Sequence, residues 1–154
     1  MKPKADICFV QGKERCHCPI CGEMVVVRGK RQRTLTESSG NKVKLVIRRM
    51  RCVQCKRIHH ELPDCVVPYK RHCAETIEAI IKGNTGEVPC DAGVVRRVKL
   101  WWKVMLEYYL HILKSLAEKY NIKFSKPAAF KEIIRAAANS NNWISWKKLC
   151  TRTE

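Results

Sequence analysis

The sequence contains two Cys-x-x-Cys motifs, Cys18-Pro19-Ile20-Cys21 and Cys52-Val53-Gln54-Cys55, which are separated by 30 residues. Two residues between the thiolates allow one tight turn, called here a knuckle, to present both sulfur atoms to the same tetrahedral ion. The second motif completes a set of four thiolates and leaves no open coordination position. The motifs therefore predict a structural zinc ion bound by Cys18, Cys21, Cys52 and Cys55.

Other assignments of the cysteine-rich region stay open on sequence alone. Cys16 and His17 lie close enough to the first motif to compete as ligands. His59 or His60 could replace a cysteine, and the four cysteines could also be buried free thiols. The remaining cysteines are expected to act as small apolar residues, and they are Cys8, Cys65, Cys73, Cys90 and Cys150.

The residues between the two motifs have the pattern of a β-hairpin. Met24–Val27 is apolar, residues 37–41 have the composition of a turn, and Val43–Arg51 alternates between apolar and polar side chains. A short strand is predicted earlier, at Ile7–Val10. The first predicted domain is therefore a zinc ribbon over residues 1–64, formed by a β-hairpin with two cysteine knuckles.

Residues 65–154 are predicted to form a helical domain, which makes the fold class α+β. His72–Lys82 has apolar residues at helical spacing and ends before Gly83, a residue typical of the position after a helix. Asp91 is a good N-cap for a long helix that reaches about Tyr120. Together these helices predict a helix-turn-helix-like segment over 72–120, with a connection longer than usual.

Shorter helices are predicted after the long one. Pro127 suits the first position of a helix that reaches Ala138. Residues 139–142 have linker composition, and Trp143–Cys150 is expected to be a final short helix. Four aromatic residues of the long helix lie on its apolar arc and are expected in the core, namely Trp101, Trp102, Tyr108 and Tyr109.

The composition is strongly basic. The 154 residues carry 31 Lys and Arg against 14 Asp and Glu, a formal net charge of +17, and the first 60 residues hold 15 of the basic and 4 of the acidic side chains. This excess favours a polyanionic partner, for which nucleic acid is the usual choice. No apolar span, secretion signal or lipidation motif indicates a membrane, so a cytoplasmic, nucleoid-associated protein with reduced thiols is expected.

Two surfaces are predicted to contact nucleic acid. On the hairpin, basic side chains on one strand face could follow phosphates. At the start of the long helix, a basic turn beside an apolar stripe resembles a recognition helix. The predicted contacts are Arg28, Lys30, Arg31, Arg33, Lys44, Arg48, Arg49, Arg51, Lys56, Arg57, Arg96, Arg97, Lys99 and Lys103.

No catalytic constellation stands out in the sequence. The carboxylates are few and scattered, which is unlike the sets that support two-metal chemistry. There is no phosphate-binding or dinucleotide-binding loop. A non-enzymatic binding protein is therefore expected.

Several segments carry a family resemblance, namely Cys18–Cys21, Ile47–Cys52, Lys56–His59, Glu61–Asp64, Val67–Arg71 and Asp91–Arg97. They resemble a bacterial zinc-ribbon family of uncharacterised domains, similar to the zinc-ribbon and helix-turn-helix parts of insertion-sequence transposases, over about residues 16–103. The sequence departs from that pattern at Val98 and Lys99, where an aromatic residue would be expected. The resemblance implies a DNA-binding accessory or regulatory protein of a mobile element or prophage, with duplex DNA and a recombinase or transposase as partners.

Alternative functions follow from the same features. The chain could be a zinc-ribbon interaction module that docks on a recombinase or polymerase, an RNA-binding protein, or a truncated transposase fragment. The long helix over residues 92–120 is also a candidate homodimer interface, because its apolar arc is wide.

Overall fold

The computed structural model describes residues 6–13 and 15–139. The chain divides into two compact units, Met1–Cys73 and Ala74–Glu154. The sequence predicts a boundary after Asp64, but Val66 and Cys73 are buried in the core of the first unit. The segment after residue 64 therefore belongs structurally with the strands that precede it.

The first unit contains a four-stranded mixed sheet, and its strands are β1 (Asp6–Phe9), β2 (Val25–Thr36), β3 (Lys42–Cys52) and β4 (Ile58–His60). The central strand is β3. It pairs with β2 in antiparallel fashion along one edge, and with parallel β1 and antiparallel β4 along the other. The hairpin predicted between the cysteine motifs is thus present as β2 and β3, with strands longer than the apolar runs suggested.

The buried side of the sheet changes along β3. Val43, Leu45 and Ile47 are buried on one face, whereas Met50 and Cys52 are buried further along the strand. Successive residues of a strand point to opposite faces, so these two sets lie on opposite sides of the sheet. A β-bulge in β2 lies opposite the point of change. The even-numbered side of β3 is consequently open in the first half of the strand, and the odd-numbered side is open in the second half.

The second unit contains three helices, α1 (Ala74–Ile81), α2 (Ala92–Tyr120) and α3 (Phe130–Asn139). Gly83 has a φ of 84°, and its N–H donates to the carbonyl of Ile80 at 3.1 Å while the N–H of Asn84 donates to Ala79 at 2.9 Å. These bonds satisfy the last carbonyls of α1. The prediction that Gly83 follows the end of this helix is confirmed.

Helix α2 begins where the sequence predicts. The carboxylate of Asp91 accepts a hydrogen bond from the N–H of Val94 at 2.8 Å, which confirms it as the N-cap. Residues 82–91 separate α1 from α2, so the connection is longer than a helix-turn-helix turn. One face of α2 forms the core of the unit, with buried Val98, Trp101, Met105, Tyr109 and Leu113.

The aromatic residues of α2 pack with one another and with α3. The rings of Trp101 and Tyr109 lie 6.2 Å apart, and the ring of Trp102 lies 5.2 Å from that of Phe130. Trp101 and Tyr109 are almost fully buried. The expected core role is therefore confirmed for Trp101 and Tyr109, whereas Trp102 and Tyr108 are only partly buried.

Helix α3 starts later than predicted. Pro127 precedes it, and the first helical residue is Phe130. The carboxylate of Glu132 accepts hydrogen bonds from the N–H of Ala129 at 3.0 Å and from the hydroxyl of Ser125, which caps the helix three residues beyond the proline. The predicted helix over Trp143–Cys150 lies outside the described residues. Among the helices that the structure describes, none is both long and apolar enough to cross a bilayer.

Candidate metal centre and basic surface

Four sulfur atoms converge at the end of the hairpin. The Sγ atoms of Cys18, Cys21, Cys52 and Cys55 all lie within 4.8 Å of one another. Cys18 is 3.6 Å from Cys55 and Cys21 is 3.4 Å from Cys52, so the close contacts join one knuckle to the other. Tetrahedral zinc with Zn–S bonds of about 2.3 Å would hold its sulfurs about 3.8 Å apart. The arrangement could therefore hold a metal ion of that size.

The two knuckles have the same backbone design. In each, the first cysteine donates its N–H to the carbonyl five residues later, at 2.8 Å in the first knuckle and 2.9 Å in the second. In each, the residue after the second cysteine has a positive φ, 79° at Gly22 and 62° at Lys56. Lys56 occupies the left-handed region without being glycine, and its Nζ donates to the carbonyl of Val53 at 2.5 Å. The sequence repeat is thus matched by a structural one.

Backbone N–H groups point at the sulfur atoms. The sulfur of Cys52 accepts from the N–H of Cys55 at 3.4 Å and also from that of Gln54. Burial opposes ionisation of Cys52, but these N–H groups and the neighbouring sulfurs lower its pKa to about 6. Cys18 receives the equivalent pair of N–H groups, and its pKa is lowered despite burial. The first cysteine of each knuckle is therefore prepared to act as a thiolate ligand.

The second cysteine of each knuckle behaves in the opposite way. The N–H of Glu23 favours the thiolate of Cys21, but the sulfur of Cys52, burial and the other two sulfurs together outweigh it and raise the pKa of Cys21 to about 11. The pKa of Cys55 is also raised, because burial and the neighbouring sulfurs outweigh the N–H of Arg57. In each close pair, Cys18 with Cys55 and Cys52 with Cys21, a thiol with a lowered pKa thus faces a thiol with a raised pKa. A bound cation would be needed to hold all four as thiolates.

The alternative ligands do not join this cluster. Within the described residues, the four cysteines alone make up the group that could hold a metal ion. His59 lies next to it, with Nε2 at 3.4 Å from the sulfur of Cys18. Burial and then the charge of Arg57 lower the pKa of His59, so its neutral ring can donate a hydrogen bond to the sulfur. Cys16, His17 and His60 are exposed.

A basic surface, called here the arginine face, lies on the side of the sheet to which the odd-numbered residues of β3 point, and it is formed by the exposed side chains of Arg31, Arg49, Arg51 and His60. Arg49 is paired with His60 across β3 and β4, and Arg31 and Arg51 lie at alternate positions with the same orientation. Partial desolvation by its neighbours lowers the pKa of His60, although the residue is exposed, and the charges of Arg31 and Arg49 lower it further. These side chains therefore concentrate positive potential on one face.

Two of the predicted contact residues instead serve the fold. The guanidinium of Arg48 pairs with the carboxylate of Glu61 at 2.6 Å and 2.7 Å, and Glu61 also accepts from the N–H of Gly12 at 2.8 Å. Arg33 is half-buried and donates from Nη2 to the carbonyls of Val67 and Lys70, at 3.2 Å and 2.5 Å. Neither guanidinium is free to follow phosphates. Glu61 is a partner that no local spacing in the sequence indicated.

The remaining predicted contacts are exposed. On the hairpin and second knuckle these are Arg28, Lys30, Lys44, Lys56 and Arg57, and on α2 they are Arg96, Arg97, Lys99 and Lys103. Lys30 lies with its ammonium group 5.5 Å from the ring centroid of Phe9, an exposed aromatic residue that no sequence motif indicated. Arg96 and Lys99 line an open pocket beside the first turn of α2.

Comparison with known proteins places the central part of the chain in a family. No curated protein and no solved structure matches the chain. A family model matches residues 18–98, which begin at the first cysteine of the cluster and end in the second turn of α2. Its description mentions neither a metal nor a nucleic acid, so the resemblance to transposase zinc ribbons stays a prediction. Because the match covers more than half of its residues, the chain belongs to the DUF6431 family, a domain of unknown function.

Proposed function

We propose that this chain is a non-enzymatic, DNA-binding accessory or regulatory protein whose four cysteines hold a structural zinc ion. The observation that carries the proposal is the arginine face, where Arg31, Arg49 and Arg51 lie on one side of the sheet and are all exposed. The mobile-element or prophage setting, with a recombinase or transposase as a partner, rests only on the sequence resemblance.

The zinc ion has a structural role in this proposal. Four thiolates complete its coordination and leave no position for a substrate. The knuckles join the ends of β2 and β3, so the ion fixes the part of the hairpin from which Arg49 and Arg51 project. In this form the first unit is a zinc ribbon whose metal orients the basic surface.

The arginine face suits phosphate groups. Arginine side chains present planar donor groups that bind phosphate oxygens in pairs. His60 stands among them, and its pKa is lowered by desolvation and then by the charges of Arg31 and Arg49. Contacts of this kind release counterions, so affinity for duplex DNA should fall steeply with salt.

Helix α2 supplies a second contact in the proposal. Arg96, Lys99 and Lys103 are exposed and follow helical spacing along one side. The carboxylate of Asp91 caps the helix, and the first turn after it carries no acidic residue. This side is therefore proposed to enter a groove, as a recognition helix would.

Protein docking is the second candidate function. Leu100, Val104 and Leu110 of α2 are 51%, 45% and 43% exposed, which is high for large apolar residues on one helix. A recombinase, a polymerase or a second copy of the chain could cover them.

The experiment is a titration of labelled duplex DNA across several salt concentrations. The variant with Arg31→Ala, Arg49→Ala and Arg51→Ala should bind more weakly, and its log–log salt slope should be smaller by about 1 per arginine. The control removes the same charge from exposed lysines of the helical unit, Lys114→Ala, Lys119→Ala and Lys131→Ala. Equal losses in the two variants would show that only net charge matters and would refute the assigned surface. Absence of binding by the wild-type chain at low salt would refute the function itself.

A further inference from the structure

A second open face of the sheet lies on the side opposite the arginine face. It is formed by two cross-strand rows, and paired residues in a row point to the same side. We call it the β1 face, and its rows are Phe9, Val46 and Gln32, then Ile7, Lys44 and Thr34. It is open because the first half of β3 buries the opposite side, with Val43, Leu45 and Ile47.

The β1 face exposes an aromatic ring. Phe9 is 71% exposed and Ile7 beside it is 57% exposed, so neither side chain contributes its full apolar area to the core. The side chain of Lys30 extends from β2 across β3, and its ammonium group lies 5.5 Å from the centroid of the Phe9 ring. An aromatic surface and a cation are thereby placed side by side.

The charge on this face has one sign. Lys30, Lys42 and Lys44 are exposed on it. Of the strand positions that the structure describes there, none carries a carboxylate. Glu61, which follows β4, is paired with Arg48. A flat apolar ring with lysines around it is complementary to a partner that combines flat rings with negative charge.

We propose that the β1 face binds single-stranded nucleic acid, with an unpaired base stacked on Phe9 and the adjacent phosphates bound by Lys30 and Lys44. Stacking on an aromatic side chain is tolerant of sequence, since every base has a flat face. Bases inside a duplex are already stacked, so Phe9 has no equivalent surface to contact there. The inference rests on the proposed nucleic-acid function and adds unpaired nucleotides as the preferred ligand of one face.

The test uses the full chain with zinc and a labelled thymidine strand of about 10 nucleotides. Phe9→Ala should weaken binding by about tenfold, the loss expected for one stacked base. For an abasic strand of equal length and charge, Phe9→Ala and the wild type should have the same affinity. Phe9→Trp should restore affinity for the thymidine strand, because its larger ring also stacks.

Matched controls separate stacking from other effects. Tyr69 is 78% exposed in the same unit but lies outside the β1 face, so Tyr69→Asn should leave affinity unchanged. Asn is chosen because Tyr69 has a φ of 61°. A uridine ribonucleotide strand reports whether the sugar matters, and a Phe9-dependent loss on either strand supports the inference.

The outcomes are distinguishable from failure of the proposed function. Equal losses on the thymidine and abasic strands, an equal loss with duplex DNA, or an equal loss in Tyr69→Asn would each overturn the stacking role of Phe9. In those cases duplex binding by the arginine face would still stand. If the wild-type chain binds none of these polyanions at low salt, both proposals fall together.

Discussion

Arg48 and Glu61 form a bidentate ion pair that joins the middle of β3 to the segment after β4, with N–O distances of 2.6 Å and 2.7 Å. Both side chains are mostly buried, at 19% and 12% exposure. The N–H of Gly12 completes the arrangement by donating to the same carboxylate. Three separated stretches of the first unit therefore meet at one carboxylate.

Replacing this carboxylate should destabilise the first unit. Glu61→Gln loses the charge and one of the paired acceptors, so we expect the free energy of unfolding to fall by about 1–3 kcal/mol. Chemical denaturation followed by circular dichroism measures it. The matched control is Glu78→Gln, which removes the exposed helical pair with Lys82 at 2.9 Å and should cost about 0.5 kcal/mol or less. Equal effects would contradict the structural role of Arg48.

The same pair gives the stability a pH dependence. The hydrogen bonds from Arg48 hold the pKa of Glu61 below its ordinary value. The folded state therefore binds this proton less readily than the unfolded state, whose pKa is about 4.3. The stabilisation of the folded state by the Arg48–Glu61 pair is fully present above that value and is lost as the pH falls through the lower pKa of Glu61 in the folded state. Denaturation curves at several pH values should show a smaller acid-side loss in Glu61→Gln than in the wild type.

Zinc binding should depend on the four clustered cysteines and not on the other cysteines of the chain. We expect one zinc ion per chain, and Cys52→Ser should abolish tight binding and unfold the knuckles, because ligand binding and folding are coupled in such sites. Native mass spectrometry and elemental analysis measure the ratio. Cys65→Ser replaces an exposed cysteine of the same unit outside the cluster and should bind zinc normally. Normal zinc content in Cys52→Ser would refute the ligand assignment.

The histidine in the arginine face should report DNA directly. The pKa of His60 is lowered by partial desolvation and by the charges of Arg31 and Arg49. A bound phosphate adds negative charge nearby and favours the imidazolium, so the pKa of His60 should rise when duplex DNA binds. Nuclear magnetic resonance titration of the ring protons measures this change. His111, which is exposed on α2, provides a comparison within the same spectrum, and an unchanged His60 would place the DNA elsewhere.

The basic start of α2 can be tested separately. If it enters a groove, Arg96→Ala with Arg97→Ala should weaken duplex binding and relax sequence preference in a selection from random DNA. Loss of affinity without a change in preference would indicate phosphate contacts only. Unchanged affinity and preference would remove α2 from the interface.

The sequence predicted the local features well, because their causes are local. The Cys-x-x-Cys spacing anticipated the sulfur cluster, and Asp91 and Gly83 anticipated the helix boundaries at which the Asp91 side chain and the Gly83 backbone form hydrogen bonds. Pro127 was misleading because the capping contacts of Glu132 begin the helix later than a proline rule suggests.

What the sequence could not predict depends on long-range pairing. Arg48 meets Glu61, and Phe9 meets Lys30, only because strands distant in the chain are aligned in one sheet. The alternation of apolar and polar residues along β3 does not show which side is buried, because the buried side changes halfway along the strand. Two arginines were consequently assigned to nucleic acid although the fold uses them internally.

The change of buried side along β3 constrains how the length of the hairpin can vary. A shift of the pairing register by one residue turns every side chain of a strand to the opposite face of the sheet. In β3 the same shift would remove Ile47 from the core at one end of the strand and Cys52 from its buried position at the other. An insertion within either strand would therefore disturb the apolar core and the sulfur cluster together. Insertions in the turn between Glu37 and Asn41 leave both alignments intact, so natural variation in hairpin length should be concentrated there.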